Sequence, residues 1–461
     1  MSDNHVSVTE SRVTVRALYD GWPLGVIVWQ PGKQRDQLAQ DAAKSVILLA
    51  PATGVPCKLF KHFAAFLCSY GHTVLAFDYR MTGSSFPASY AAGPTGLSTS
   101  IPETNADASS FESVAALETC LKAHRHQATY EHIGRRDYPA VLLHAWKEHC
   151  IVEPTRRREL CIVGHSLGGS ILPLALDELK VGPHALQDFK ISRVLAVGSS
   201  SGWWGYSPTA DLSREAGQFI VQESHKEGFA NLKKWGLGNP ITLAQVNDWL
   251  GMIVESPSWY GAYEGDSGWQ RAVQHYDLPV LSILFSDDEL IGNGSARRVD
   301  AILRPLGHNA SLVESAREKA YWEAGGEEDP VGATAYKSGS PPDPESVGRS
   351  PNASTLTRIH LDVNHNGWVR GSSQVDAKEQ EQLPSHIGHI DWIRKEVGTS
   401  SASREIWEMC RAWLDERATV PSRSSRIYGG CGGRLDFGPK SDRAIYTPHP
   451  IYATTSAKAK I

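Results

Sequence analysis

Glu159-Leu160-Cys161-Ile162-Val163-Gly164-His165-Ser166-Leu167-Gly168-Gly169-Ser170-Ile171-Leu172 is the stretch on which the fold turns. Glu159 to Val163 is a short apolar run that reads as a buried strand. Ile171, Leu172, Leu174, Ala175, Leu176 and Leu179 recur as on a helix. Between them Gly164, Ser166 and Gly168 spell G-x-S-x-G, the nucleophile elbow. A serine at so tight a strand-to-helix turn is held in a strained backbone conformation. Side chains at Gly164 and Gly168 would collide with neighbouring backbone, so both are glycine. The turn lifts the Ser166 hydroxyl above the sheet. It also sets a helix N-terminus beneath it, where the Leu167 N–H can face an oxyanion.

Working outward, strand and helix signals alternate. Val13 to Leu18 and Val26 to Trp29 read as two strands joined by a turn at Asp20-Gly21-Trp22-Pro23. Val46 to Leu49 is continuously apolar, as in a sheet covered on both faces. Leu59, Phe60, Phe63, Ala64, Phe66 and Leu67 recur at helical spacing, and Tyr70-Gly71 ends that helix. Thr73 to Phe77 is a further strand, followed by Asp78-Tyr79-Arg80 and a turn at Thr82-Gly83-Ser84. A helix is expected over Asp137 to Cys150, another over Phe111 to Ala123 with Ser109 or Ser110 as N-cap, and strands at Ile191 to Val197, Val280 to Phe285 and Leu356 to Val363. Trp407, Cys410, Trp413 and Leu414 mark a final helix. This alternation predicts an α/β fold with a mainly parallel sheet and right-handed crossovers.

The expected organisation is a core over 1–202 carrying an insertion at 86–134, then a helical cap over 203–277. Core resumes over 278–417 with an insertion at 314–352, and 418–461 reads as a loosely ordered tail with little periodicity. Trp203, Trp204, Trp235, Trp249, Trp259, Tyr260 and Trp269 give the cap its aromatic character, most of them as packing.

A serine hydroxyl needs a base, and the base needs a group that holds its tautomer. The expected chain order is serine, acid, histidine. The strand Pro279 to Phe285 is followed by Ser286-Asp287-Asp288-Glu289-Leu290-Ile291-Gly292. Asp288 is the candidate acid, since the residues after it allow the loop to fold back over the strand end; Asp287 is the alternative. His365, His386 and His389 compete as base. His365 directly follows the last strand, whereas His389 stands beside Gly388, which permits close backbone approach to the elbow, and is preferred. A second oxyanion donor is expected in the loop Ala50-Pro51-Ala52-Thr53-Gly54-Val55-Pro56. Pro51 has no N–H, which leaves Ala52 or Thr53.

These stretches resemble the α/β-hydrolase superfamily, and within it serine hydrolases related to the serine aminopeptidase/monoacylglycerol lipase branch. The resemblance lies in Leu48 to Pro56, Val74 to Ser85, Ile162 to Gly169, Ser201 to Trp204, Phe285 to Glu289 and Ile387 to Arg394. It covers most of residues 10–415 outside the two insertions. The last two stretches match the family's acid and base motifs, and so imply Asp288 and His389. The family's histidine-glycine oxyanion motif is replaced here by Pro51-Ala52. The resemblance implies an α/β-hydrolase fold. The leading expectation is a serine hydrolase of a small acyl ester or thioester, with an apolar or aromatic acyl group favoured by the tryptophans of the cap, in a biosynthetic or acyl-CoA pathway if the C-terminal tripeptide is an address. An acyltransferase or cyclising enzyme would use the same triad, and a non-catalytic binding protein would use none of it.

Composition agrees with these expectations. The chain has 461 residues, a net charge of -5, 41% hydrophobic and 21% charged residues. That balance gives no basic footprint for nucleic acid, and no apolar run reaches the roughly 20 residues of a membrane span. Met1 to Glu10 carries no apolar signal region. Seven cysteines, an odd number without zinc-type spacing, read as reduced buried thiols. No metal or organic cofactor is implied; the expected partner is a small acyl substrate. An intracellular, cytoplasmic location is expected. Ala459-Lys460-Ile461 resembles a variant of the S-K-L peroxisomal address, which would place the chain in peroxisomes.

Overall fold

The computed structural model describes residues 7–32, 44–87, 114–153, 156–199, 210–255, 267–274, 278–285, 356–361, 391–393, 404–415, 426–428, 433–437 and 443–448. The strands of the main sheet are β1 (Val8–Arg16), β2 (Pro23–Pro31), β3 (Val46–Ala50), β4 (Thr73–Phe77), β5 (Leu160–His165), β6 (Arg193–Val197), β7 (Val280–Phe285), β8 (Leu356–Leu361), β9 (Arg426–Tyr428), β10 (Gly433–Phe437) and β11 (Arg443–Pro448). Their order is β1-β2-β4-β3-β5-β6-β7-β8-β11-β10-β9. β1 and β2 form an antiparallel hairpin and β2 pairs antiparallel with β4. From β4 through β3, β5, β6, β7 and β8 every neighbouring pair is parallel. This is the α/β-hydrolase arrangement that the elbow and the alternating signals predict.

β3, β4, β5 and β6 are buried at every position because both faces of the sheet are covered there. Along β3, Val46, Leu48 and Ala50 face one core while Ile47 and Leu49 face the other. On the first face lie helices α3 (Tyr138–Ala145) and α4 (Leu172–Val181). On the second lie α1 (Lys61–Ser69) and α7 (Arg404–Asp415), with Trp392, Trp407 and Trp413 filling the space between them and the sheet. Phe63 is edge-on to both Trp392 and Trp407, at centroid distances of 5.4 Å in each case.

Cys57, Cys68, Cys120, Cys150, Cys161 and Cys410 are all buried thiols outside any disulfide. Burial pushes the Cys68 thiol up to about 12.

Residues 210–255 form a separate layer. Helix α5 (Ala210–Glu227), a two-stranded ribbon of Phe229–Ala230 with Ile241–Thr242, and the turns from Leu243 to Glu255 close on their own cluster of Ile220, Leu232, Ile241, Val246 and Leu250. Thr242 opens the first of these turns with a reciprocal capping box to Gln245. Helix α6 (Ser267–Gln274) buries Trp269 and Ala272 in the core around α4, and Arg271 binds Asp177 of α4 at 2.9 and 2.8 Å. Its apolar stripe thus faces the sheet layer. Trp203, Trp204, Trp259 and Tyr260 lie outside the described residues, as does 314–352. Within 86–134, helix α2 (Val114–Ala123) packs Cys120 and Leu121 against Met81, Phe86 and Phe229; Ser109 and Ser110 lie outside the described residues.

Within 418–461, the described residues add three short strands. β11 extends the sheet parallel to β8, and β10 and β9 follow antiparallel. These strands are three to six residues long, too short for a periodic signal of their own, and they form by pairing at a sheet edge built far away in sequence. Among the described residues no helix is long and apolar enough to cross a membrane.

Candidate functional site

Ser166 stands between the end of β5 and the helical turn Leu167–Ser170, with φ 50° and ψ −112°. A positive φ at a non-glycine residue costs on the order of 1–3 kcal/mol and persists only where surrounding bonds impose it. Those bonds are present. The Ser166 N–H donates to the Val197 carbonyl at 2.9 Å, and the Ser166 carbonyl accepts from the N–H of Gly169 at 3.1 Å and of Ser170 at 3.2 Å. It also accepts from the Ser199 hydroxyl at 2.9 Å and the Ser170 hydroxyl at 3.2 Å. A Cβ on Gly164 would lie 2.4 Å from the Gly169 nitrogen, and one on Gly168 2.2 Å from the Ala50 carbonyl oxygen. At either position a side chain would therefore collide with backbone. Leu167 is the first residue of the turn, so its N–H has no intrahelical partner. Ser166 is half-buried, whereas His165 before it is fully buried.

Next to the elbow runs the loop after β3. Ala50 pairs with Gly164 across the parallel ladder, which starts Ala52 and Thr53 beside Ser166. Gly54 has φ +69°, a left-handed position that lets the chain reverse, and the Val55 N–H donates back to the Ala52 carbonyl at 3.2 Å. Asp78, fully buried at the end of β4, ties this loop down. Its carboxylate accepts from the Cys57 N–H at 2.6 Å, and from the Ser84 N–H and hydroxyl, both at 2.9 Å. Burial raises its pKa against these bonds, which favour the charged form.

The layer of residues 210–255 reaches the same loop. The Asn239 N–H donates to the Gly54 carbonyl at 3.3 Å. Tyr130 forms a second link. Its hydroxyl shares a 2.8 Å hydrogen bond with the Thr53 hydroxyl, and its backbone N–H donates to Asp248 Oδ2 at 2.6 Å. Tyr130 is fully buried, which raises its pKa, and burial pushes Asp248 up to about 6. Behind Tyr130 lies a buried ion cluster. Arg80 donates from Nε to Asp137 Oδ1 at 2.9 Å and from Nη2 at 2.5 Å, and from Nη1 to Asp20 at 2.9 Å. Burial together with Arg80 and Arg136 pushes His132 down to about 4.

Asp78, Tyr130, Asp248 and Ser199 escape the sequence reading. Asp78 had a signal, since an aspartate shortly before Thr82-Gly83-Ser84 marks a side-chain-bonded turn. Tyr130 and Asp248 had none, because their partners are 77 and 118 positions away.

Asp288, Asp287, His365, His386 and His389 lie outside the described residues. Their neighbours are placed. Phe285 ends β7, on the same side of the parallel sheet as the end of β5. Trp392, in the turn Asp391–Ile393, is fully buried and packs edge-on against the His165 ring at 5.6 Å. Phe60 flanks both rings, at 6.1 Å from His165 and 6.2 Å from Trp392. Among the described residues no group of three or more His, Cys, Asp or Glu could hold a metal ion.

No family profile and no curated protein sequence matches the chain. Solved structures do. The chain is similar to DcsB in complex with its substrate analogue, at 11% identity over 89% of this chain and 99% of that one, with a TM-score of 0.40. It is also similar to a highly thermostable carboxyl esterase from Bacillus coagulans, at 10% identity over 69% and 87% of the two chains, with a TM-score of 0.35. A soluble variant of monoglyceride lipase from Saccharomyces cerevisiae matches at 15% identity over 60% and 78%, with a TM-score of 0.32. The fold assignment itself rests on the strand order and the elbow.

Proposed function

We propose that the protein is a serine hydrolase that cleaves a small apolar or aromatic acyl ester or thioester. The observation that carries this reading is the backbone of Ser166, held at φ 50° by bonds from β6 and from the following turn. A strained, half-buried serine over a helix N-terminus is the form in which a hydroxyl attacks a carbonyl.

In this reading Ser166 Oγ attacks the acyl carbon while His389 takes its proton and Asp288 orients the imidazole. The oxyanion is held by the N–H of Leu167 and that of Ala52 or Thr53. His389 then protonates the leaving group, and water, activated by the same histidine, releases the acid. Chain connectivity supports the assignments. His389 stands three residues before Trp392, which packs on His165, and three peptide units reach at most about 11 Å. Asp288 stands three residues beyond the end of β7, two strands from β5. The apolar preference follows from Ala52, Val55, Leu167 and Ile241, the side chains adjoining the elbow and the Gly54 loop. The docking of Asn239 on Gly54 supports a pocket roofed by residues 210–255.

The test is hydrolysis of p-nitrophenyl esters of graded chain length and of acyl-CoA thioesters, with Ser166→Ala as control. Turnover that the control lacks supports the reading. Absence of turnover across both panels opposes it.

A further inference from the structure

Thr53 carries a hydroxyl as well as an N–H, and the hydroxyl is engaged from behind. Tyr130 Oη lies 2.8 Å from Thr53 Oγ1. Tyr130 is 1% exposed, whereas Thr53 is only half-buried and so retains an open side. A phenol is a better donor and a poorer acceptor than an aliphatic alcohol, because its lone pair is delocalised into the ring. Either oxygen can donate across this contact; as the stronger donor, Tyr130 is assigned as donor and Thr53 as acceptor. With its oxygen accepting from that side, the Thr53 hydroxyl turns its own proton elsewhere.

The place it faces is set by the sheet. Ala50 and Gly164 are opposite each other on adjacent parallel strands, about 4.8 Å apart. Ser166 lies two residues past Gly164 and Thr53 three past Ala50, so both leave the same edge side by side. Close packing of the Ala50 carbonyl against Gly168 keeps the two turns in contact. Tyr130 is in turn fixed by the Asp248 carboxylate, which accepts its N–H at 2.6 Å.

We propose that the Thr53 hydroxyl is a side-chain donor to the oxyanion formed at Ser166, and that Tyr130 is the positioning residue that aims it. This rests on Ser166 being the nucleophile. Two fixed backbone donors and one hydroxyl pre-aligned through Tyr130 would stabilise the developing charge without reorganisation. Asp248, in the layer of residues 210–255, holds the Tyr130 backbone and so contributes to that alignment.

The experiment uses the full chain and a fluorophosphonate, whose attack by Ser166 forms an O–P bond, expels fluoride and builds charge on the phosphoryl oxygen. Ser166→Ala, Thr53→Val, Thr53→Ser and Tyr130→Phe are compared by phosphonylation rate and by kcat and KM on p-nitrophenyl butyrate. Loss of one oxyanion donor predicts a fall of about 10²-fold in both rates for Thr53→Val with KM little changed. Thr53→Ser should stay within about threefold of the parent, and Tyr130→Phe should lose about tenfold in kcat rather than KM. If Thr53→Val does not fold, Thr53→Ala, which needs no more room, replaces it. A Thr53→Val or Thr53→Ala enzyme as fast as the parent overturns the inference and leaves the serine-hydrolase reading intact. A serine variant as slow as valine also overturns it, because only the methyl contact would then matter. Undiminished labelling of Ser166→Ala overturns the underlying reading instead.

Discussion

Replacing Gly168 by alanine should damage the elbow more than any conservative change nearby. The added Cβ would lie 2.2 Å from the Ala50 carbonyl oxygen and 2.6 Å from its carbon. An ordinary carbon–oxygen contact is about 3.3 Å, so Ser166's turn and the end of β3 must separate by roughly 1 Å. Neither side is a flexible side-chain end: Ala50 is paired in the sheet with Gly164, and Gly168 lies in the turn that fixes Ser166. Overpacking of a close-packed core costs about 1–3 kcal/mol, at times more. The same displacement opens the gap between the Leu167 N–H and the Ala52–Thr53 loop, and a misplacement of that size costs about 10²-fold in rate. Gly168→Ala should therefore lower the fluorophosphonate labelling rate by about two orders of magnitude, with an earlier urea midpoint. Gly251→Ala is the control: a Cβ there meets nothing within 4 Å. It should keep full labelling and gain up to about 0.5–1 kcal/mol. If Gly168→Ala labels and unfolds like the parent, the close approach of β3 to the elbow is not what shapes the site.

Other consequences can be checked alongside. Burial raises Asp248 from 3.8 to about 6, so the native state holds its proton between about pH 4 and pH 6 where the unfolded chain does not. Stability contributed at this site therefore falls as pH rises through that window. Asp248→Asn keeps an acceptor for the Tyr130 N–H and should be more stable than the parent at pH 7 by up to about 3 kcal/mol, with the gap closing near pH 4. Urea titrations at the two pH values that show no such narrowing would count against it. Asp137→Ala removes the main partner of the fully buried Arg80 guanidinium and should cost about 3–5 kcal/mol by denaturant unfolding. His389→Ala should lower kcat as much as Ser166→Ala, with the double variant little worse, while His365→Ala keeps most activity; the reverse ranking would transfer the base to His365. Asp288→Asn should cost about 10⁴-fold in kcat and Asp287→Asn little, measured on the same ester.

The core of the fold could be read from the sequence because its signals are local. β4 and β7 match the runs Thr73–Phe77 and Val280–Phe285 end to end, since each carries a single polar residue in an otherwise apolar run, the pattern of a strand covered on both faces. The elbow could be read because G-x-S-x-G encodes two steric exclusions at once, each met here by a backbone atom. Less visible were features made by distant pairing. The strands β9 to β11 draw their order from the edge of β8, and α6 draws its place from Asp177, 94 residues before Arg271. The Tyr130 bridge joins three separated stretches, none of which carries a motif. Arg80 stands just before the turn at Thr82 to Ser84 and carries no motif, yet its guanidinium is buried because Asp137 and Asp20 converge on it from two other elements.

The nucleophile can be tested without knowing the natural substrate. The protein is treated with a fluorophosphonate, digested with trypsin, and the adduct located by peptide mass spectrometry. The strained backbone at residue 166 predicts a single labelled tryptic peptide, Glu159 to Lys180, with the adduct on Ser166, and no adduct anywhere in Ser166→Ala. An adduct on another residue, or labelling that survives Ser166→Ala, would contradict the assignment of the elbow as the catalytic centre.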